Sequence, residues 1–179
     1  MESITVKILC SGNPADQTVA SAVNKVFVGV DFASRRTGYD LRFWDAGSED
    51  HFRTQIKKYN VFINSSFICG NGQLALLEAT HQEWSALGIS GHIVNIGSTA
   101  EWMGIDSKFP EYSIQKRSLR DRSLQLNGKS EIKTTHMIVG GINDGVTGHE
   151  NWLSLDHIAE TIKWVLYHPV NIPLIQIQK

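Results

Sequence analysis

The sequence predicts one doubly wound α/β domain, a parallel sheet with helices on both faces. Two observations carry this reading. Short runs rich in β-branched residues alternate with segments of helical periodicity from one end of the chain to the other. Such alternation packs a parallel sheet between two helical layers. The length, 179 residues, suits a single domain that buries about 70% of its unfolded surface. No internal repeat, low-complexity tract or linker divides it.

The elements follow in order. Val6 to Leu9 reads as the first strand, and a helix is expected between Ala15 and Val28. Val30 to Ser34 is the second strand, stopped by Arg35, Arg36 and Gly38, and Tyr39 to Arg42 is a short third. Ser48 to Tyr59 places Phe52, Ile56 and Tyr59 at helical spacing with Ser48 as a cap. Val61 to Ser65 is the fourth strand. The helix of Gln73 to Leu87 has Leu74, Leu77, Trp84 and Leu87 as its expected buried stripe. His92 to Ile96 is the fifth strand, Glu111 to Leu126 the helix after it, and His136 to Val139 the sixth strand. Ser154 to Tyr167 is a helix with Ile158, Ile162, Val165 and Leu166 inward, and Leu174 to Ile177 is the seventh strand.

Composition removes several classes of function. A net charge of −1 and a pI near 6.6 provide no basic footprint for nucleic acid. No run of about 18 apolar residues offers a membrane span. The opening MESITVKILC enters a strand at once without the basic and apolar regions of a signal peptide. Cys10 and Cys69 are too few for a disulfide framework, so a reduced, cytoplasmic protein is expected. Seven scattered histidines, with no HExxH or CxxC spacing, imply no metal.

The chemistry concentrates between Gly91 and Lys116. Ser98 lies just past an apolar strand, where a site at the carboxyl end of a parallel sheet requires it. Tyr112 and Lys116 stand four apart at a helix start, so phenol and ammonium share a helix face. A cation there is expected to favour phenolate and lower the tyrosine pKa. Serine, tyrosine and lysine so arranged can move a proton on and off a carbonyl oxygen.

This strand–serine–tyrosine–lysine order resembles the short-chain dehydrogenase/reductase family, over nearly the whole chain. The resemblance implies a Rossmann-type fold and a catalytic tetrad. Tyr112 would be the general acid/base, Ser98 the carbonyl-orienting hydroxyl, and Lys116 the partner of both the tyrosine and the nicotinamide ribose. Asn71, 27 residues before Ser98, matches the family asparagine that holds a relay water. VFINSS, with Asn64, Ser65 and Ser66, is similar to the family strand ending in Asn-Asn-Ala-Gly. Asp40-Leu41 is similar to the acidic-apolar pair beside the adenine, with Asp45 as a rival. IVGGIND, with Gly140, Gly141 and Ile142, resembles the Pro-Gly loop beside the nicotinamide.

The chain also departs from the family pattern. Gln73 stands only six positions after Phe67, so a helix and its connections look deleted there. The phosphate loop, normally TGxxxGxG, reads Ser11-Gly12-Asn13-Pro14-Ala15-Asp16-Gln17-Thr18. Gly12 survives, while Asp16 and Thr18 stand near the places of the other glycines. Asp16 is expected to turn away and cap the following helix, with weaker pyrophosphate contacts as the consequence. Ser34-Arg35-Arg36 after the second strand favours NADP(H) over NAD(H), because arginines accommodate a 2′-phosphate.

The sequence therefore predicts a compact NADP(H)-dependent oxidoreductase that reduces a small carbonyl or oxidises the matching alcohol. A nucleotide-binding sensor or scaffold without turnover is the alternative from another class. A dinucleotide-independent lyase or isomerase using the same tyrosine ranks third. The short polar lid from Gly141 to Trp152 names no substrate. A homodimer or homotetramer is implied through the helices after the fourth and fifth strands, with Trp84 and the later helix's arginines at the contact.

Overall fold

A computed structural model of the chain describes residues 6–15, 17–39, 45–66, 72–103 and 109–179. Eight strands occur among them: β1 (Ile8–Ser11), β2 (Val30–Ala33), β3 (Val61–Asn64), β4 (Gly91–Ile96), β5 (Ile132–Val139), β6 (Ile142–Asn143), β7 (Leu153–Ser154) and β8 (Leu174–Ile177). The helices are α1 (Val19–Val26), α2 (Ala46–Ile56), α3 (Gly72–Leu87), α4 (Pro110–Leu126) and α5 (Leu155–Tyr167). Six strands form one parallel sheet in the order β2-β1-β3-β4-β5-β8.

Side chains alternate across the pleat, and each strand therefore feeds two cores. Ile8, Cys10, Val61, Ile63, Val94 and Met137 join Val23 of α1 and Ile158 and Ile162 of α5. Leu9, Phe62, Ile93 and Ile132 join Phe52 of α2, Leu77 and Trp84 of α3 and Leu119 of α4 on the other face. Phe52 and Phe62 meet edge to face at 5.5 Å, and each fully buried ring contributes about 1.5–3 kcal/mol. The expected doubly wound sheet is present.

The chain reverses its direction of travel at β1, which pairs with β2 on one side and β3 on the other. At such a switch point the connections diverge and leave a crevice beyond the carboxyl ends of the strands. Register fixes its floor: Ser11 lies opposite Ala33 and Asn64, and Asn64 opposite Asn95.

Several boundaries differ from expectation. α1 starts at Val19, not near Ala15, because Pro14 and Asn13 build a turn first. Ala15 N donates to Asn13 Oδ1 at 3.1 Å, and Thr18 Oγ1 donates to Asn13 O at 3.1 Å. The N-cap of α1 is Thr18, whose amide donates to Ser21 Oγ at 3.2 Å; the cap role expected of Asp16 thus falls elsewhere, and Asp16 lies outside the described residues. α2 begins at Ala46 and is capped by Asp45, whose Oδ1 accepts from Ser48 N at 2.8 Å. Ser48 is inside the helix, and Asp45 is occupied as a cap. Tyr39 belongs to no strand and packs in the α2–α4 core, while the rest of the expected third strand lies outside the described residues.

Within α3 the buried stripe is rotated: Gln73, Leu76, Leu77, Thr80 and Trp84 are buried, and Leu87 is exposed. Trp84 is wholly buried and donates Nε1–H to Ile56 O at 3.0 Å, so it does not serve an assembly contact. β6 and β7 pair with each other and tie together the two ends of the Gly141–Trp152 segment. Two-residue strands carry no periodicity to read.

Candidate active site

Ser98 stands directly beyond β4, whose end is fixed when Gly97 N donates to Met137 O at 2.7 Å. A 3-10 turn (Thr99–Trp102) follows, with Ser98 as its cap: Ser98 Oγ accepts from Ala100 N at 3.2 Å, and Glu101 Oε1 accepts from Ser98 N at 3.0 Å. Pro110 occupies the first turn of α4, where its missing N–H costs nothing. Tyr112 lies in that same turn and Lys116 one turn later.

The structure brings Ser98, Tyr112 and Lys116 together. Ser98 hydrogen-bonds the Tyr112 phenol, and the Lys116 ammonium lies 5.5 Å from the Tyr112 ring centroid. Lys116 is 6% exposed. Its Nζ donates to Gln73 Oε1 at 2.5 Å and to Ile96 O at 2.8 Å.

Gln73 was not expected here, and it organises the interior of the site. Its Nε2 donates to Asn64 O at 2.9 Å and Ile96 O at 3.3 Å. Asn64 Nδ2 donates to Gln73 O at 2.8 Å and Asn95 Oδ1 at 2.9 Å, and Asn95 Nδ2 donates to Ser123 Oγ at 3.1 Å. This buried chain of amides joins the ends of β3 and β4 to α3 and α4. Asn64 is therefore a structural anchor of the crevice. Asn71, the expected tetrad asparagine, lies outside the described residues.

The electrostatics differ from the expectation in one respect. Burial pushes the Tyr112 phenol above its ordinary value; the Ser98 hydrogen bond draws it down, and the Glu101 carboxylate pushes it up again. The ammonium does not win: it donates to Gln73 and the Ile96 carbonyl and lies 5.5 Å from the ring centroid. Burial in turn brings Lys116 down from 10.5 to about 8, with Glu101 opposing the fall.

The β1 side of the crevice begins at Gly12, whose φ is +133° and whose added Cβ would lie 2.9 Å from Ala20 Cβ. Only glycine lets the chain turn there while α1 packs closely. Ser11 Oγ accepts from Ser65 N at 2.9 Å and Ser66 N at 3.0 Å. These two residues therefore brace β1, and their amides are committed within the protein. Asn13, Ser34, Arg35 and Arg36 line an open pocket of about 430 Å³, with both arginines exposed in a 3-10 turn (Arg35–Thr37) after β2. Asp40 and Leu41 lie outside the described residues.

Gly140 N donates to Ile177 O at 2.9 Å, which anchors the segment after β5. A Cβ on Gly141 would lie 2.7 Å from the Trp152 indole, so glycine here admits the ring beneath the loop. Ile142 is partly buried in β6. Further along, the Gln17 side chain touches Gly145, so this loop reaches over the entrance to α1.

A parallel sheet that switches direction at β1, with glycine at the first β–α turn and polar side chains at the carboxyl ends, is the Rossmann-type arrangement. The chain has, more narrowly, the fold of short-chain dehydrogenase/reductase structures. It superimposes on serine dehydrogenase from Escherichia coli with a TM-score of 0.74, 16% identity, and coverage of 97% of this chain and 98% of that one. An alcohol dehydrogenase from the archaeon Thermococcus sibiricus, complexed with 5-hydroxy-NADP, matches at 0.75 with 13% identity and 97% coverage of each chain. A short-chain dehydrogenase from Sphingobium yanoikuyae, in complex with NADPH, matches at 0.71 with 12% identity, covering 95% of this chain and 87% of that one. No protein-family model and no curated protein matches the chain.

Sequence reasoning missed Gln73, Glu101 and His136. Gln73 carried a faint signal, a polar residue beside an apolar stripe. Glu101 carried a clearer one, since Ser98-Thr99-Ala100-Glu101 is a capping-box pattern. His136, in mid-strand, carried none.

Proposed function

We propose that this chain is an NADP(H)-dependent oxidoreductase of the short-chain type, which reduces a small carbonyl compound or oxidises the matching alcohol. The observation that carries the reading is the convergence of Ser98, Tyr112 and Lys116 at the carboxyl end of β4, on a fold shared with structures described as NADPH and NADP complexes. A dinucleotide fits the residues present. Gly12 leaves room at the first turn, and Arg35 and Arg36 beside Asn13 and Ser34 suit a 2′-phosphate.

The cofactor, when bound, supplies the hydride. The protein supplies position and a proton. The Ser98 hydroxyl orients the substrate oxygen, and the Tyr112 Oη gives it a proton in reduction or takes one in oxidation. A phenol pushed upward by burial enters reduction protonated. The Lys116 ammonium, held by Gln73 and Ile96, can serve the ribose hydroxyls and favour phenolate after proton release. Gly140, Gly141 and Ile142 would border the nicotinamide. Asn71, Asp40 and Leu41 keep the roles that the family resemblance implies for them, as does the assembly into a homodimer or homotetramer through α3 and α4.

A second reading, a nucleotide-binding sensor or scaffold with little turnover, draws on the phosphate loop. Asp16 and Thr18 replace two glycines, and Gln17 meets Gly145 across the entrance to α1. NADPH consumption with a broad panel of small aldehydes and ketones separates the two. The oxidoreductase reading expects turnover with some member. Saturable NADPH binding with no turnover across the panel would favour the sensor.

A further inference from the structure

The buried cation of the site is held by neutral acceptors. Lys116 Nζ donates to Gln73 Oε1 at 2.5 Å and to Ile96 O at 2.8 Å, and Lys116 and Gln73 are both buried. Buried charges are ordinarily paired with an opposite charge. Among the described residues, the titratable groups that face Lys116 are Tyr112 of its own helix and Glu101 of the 3-10 turn. Glu101 is engaged elsewhere: its Oε1 accepts from Ser98 N at 3.0 Å and stands 2.7 Å from His136 Nε2.

The Gln73 amide has one possible orientation. Its Nε2 uses both hydrogens, on Asn64 O at 2.9 Å and Ile96 O at 3.3 Å. A reversed amide would set its NH2 against the ammonium and its oxygen against two carbonyls, donor facing donor and acceptor facing acceptor. The main chain is tied as well, because Gln73 O accepts from Asn64 Nδ2 at 2.8 Å. Ile96 O accepts from both Gln73 and Lys116, which closes a triangle between α3, α4 and the end of β4. Nε2 alone would suffice to brace the strand ends. The oxygen aimed at the ammonium needs a second reason.

We propose that Gln73 is a positioning residue, whose amide oxygen holds the Lys116 ammonium in place and leaves its positive charge undiminished for the site. A glutamate would hold the lysine as closely and cancel its charge, and an apolar side chain would supply no bond at all. An ammonium has three hydrogens. With two fixed on Gln73 and Ile96, the direction of the third is set, and it can serve a ribose hydroxyl or a phenolate oxygen. The inference rests on the proposed role of Lys116 beside Tyr112 and the nicotinamide ribose.

The test compares Gln73→Met with Gln73→Glu. Both keep the length of the side chain and both lose the Nε2 donor, so a strand-bracing role suffers alike in the two. The readout is a pH titration by NMR with carbon-13 at lysine Cε, on the full chain without cofactor, with Lys116→Met assigning the resonance. Lys116 should give up its proton about tenfold more readily in Gln73→Met and hold it about tenfold more tightly in Gln73→Glu. Midpoints that stay put, or move in the same direction in both variants, would overturn the inference. If one variant does not fold, the sign of the shift in the other decides. If neither folds, the wild type decides: the Gln73 Cδ resonance should shift with the Lys116 midpoint and lose that shift in Lys116→Met, and a Gln73 resonance indifferent to Lys116 would overturn the inference. Turnover should fall at least tenfold in both folded variants, since one loses the ammonium's position and the other its charge; undiminished turnover in both would also overturn it. Opposite shifts in a protein that turns over no substrate would fault the proposed function alone. Wild-type turnover with unmoved midpoints in the variants would fault this inference alone.

Discussion

Lys116→Met offers a test whose size follows from the structure. The wild-type ammonium is buried, and its pKa falls from an ordinary 10.5 to about 8. At about 1.4 kcal/mol per tenfold change in proton affinity, burial of the charge costs the folded state about 3 kcal/mol. The sign is set by where the proton resides. Below pH 8 both folded and unfolded chains carry it, and the folded state bears the whole cost. Between pH 8 and 10.5 the folded chain has released a proton that the unfolded chain still holds, so stability rises with pH. Cys10 and Tyr59 are both pushed to about 12 by burial and give an opposite slope at high pH, but wild type and variant share that slope. The difference in unfolding free energy, wild type minus Lys116→Met, should therefore grow by about 3 kcal/mol from pH 7 to pH 10.5. Urea denaturation at several pH values measures it. The lost bonds to Gln73 and Ile96 shift the difference by a constant and leave its pH dependence intact. A difference that stays flat, or shrinks as pH rises, would refute the account of Lys116 as a buried cation.

Removal of both charges at Arg35 and Arg36 should narrow the preference for NADPH over NADH by tenfold to a hundredfold or so; paired calorimetric titrations read it, and equal affinities in the unaltered protein would defeat it. Asp16→Asn and Asp16→Gly should bind NADPH more tightly, since a carboxylate competes with phosphate for the N-terminus of α1. Thr18 caps that helix, so melting temperatures should barely move. Weaker binding in both variants would mean that Asp16 supports the site.

What the sequence made legible, and what it hid, follows from the range of the interactions. The fully buried parallel strands read as apolar runs because both faces are covered, and Val61–Asn64 and Gly91–Ile96 were found for that reason. Tyr112 and Lys116 announced a shared helix face through their spacing alone. The late start of α1 was hidden because an Asn13 turn and a Thr18 cap compete locally with helix formation. Gln73 and His136 were hidden because their partners lie 43 and 35 residues away in sequence, and only strand order brings them together. The tyrosine's shift was misjudged for the same reason. Spacing placed a cation nearby, but Gln73 and the Ile96 carbonyl decide where it points.

Isotope transfer tests the central claim most directly. NADPH deuterated at nicotinamide C4 is supplied with a carbonyl substrate found in the panel, and the alcohol product is analysed by mass spectrometry. The account predicts one deuterium on the carbinol carbon with the wild-type protein. It also predicts at least a hundredfold loss of labelled product in Tyr112→Phe, with NADPH affinity nearly unchanged. Unlabelled product from the wild type, or undiminished labelled product from Tyr112→Phe, would contradict it.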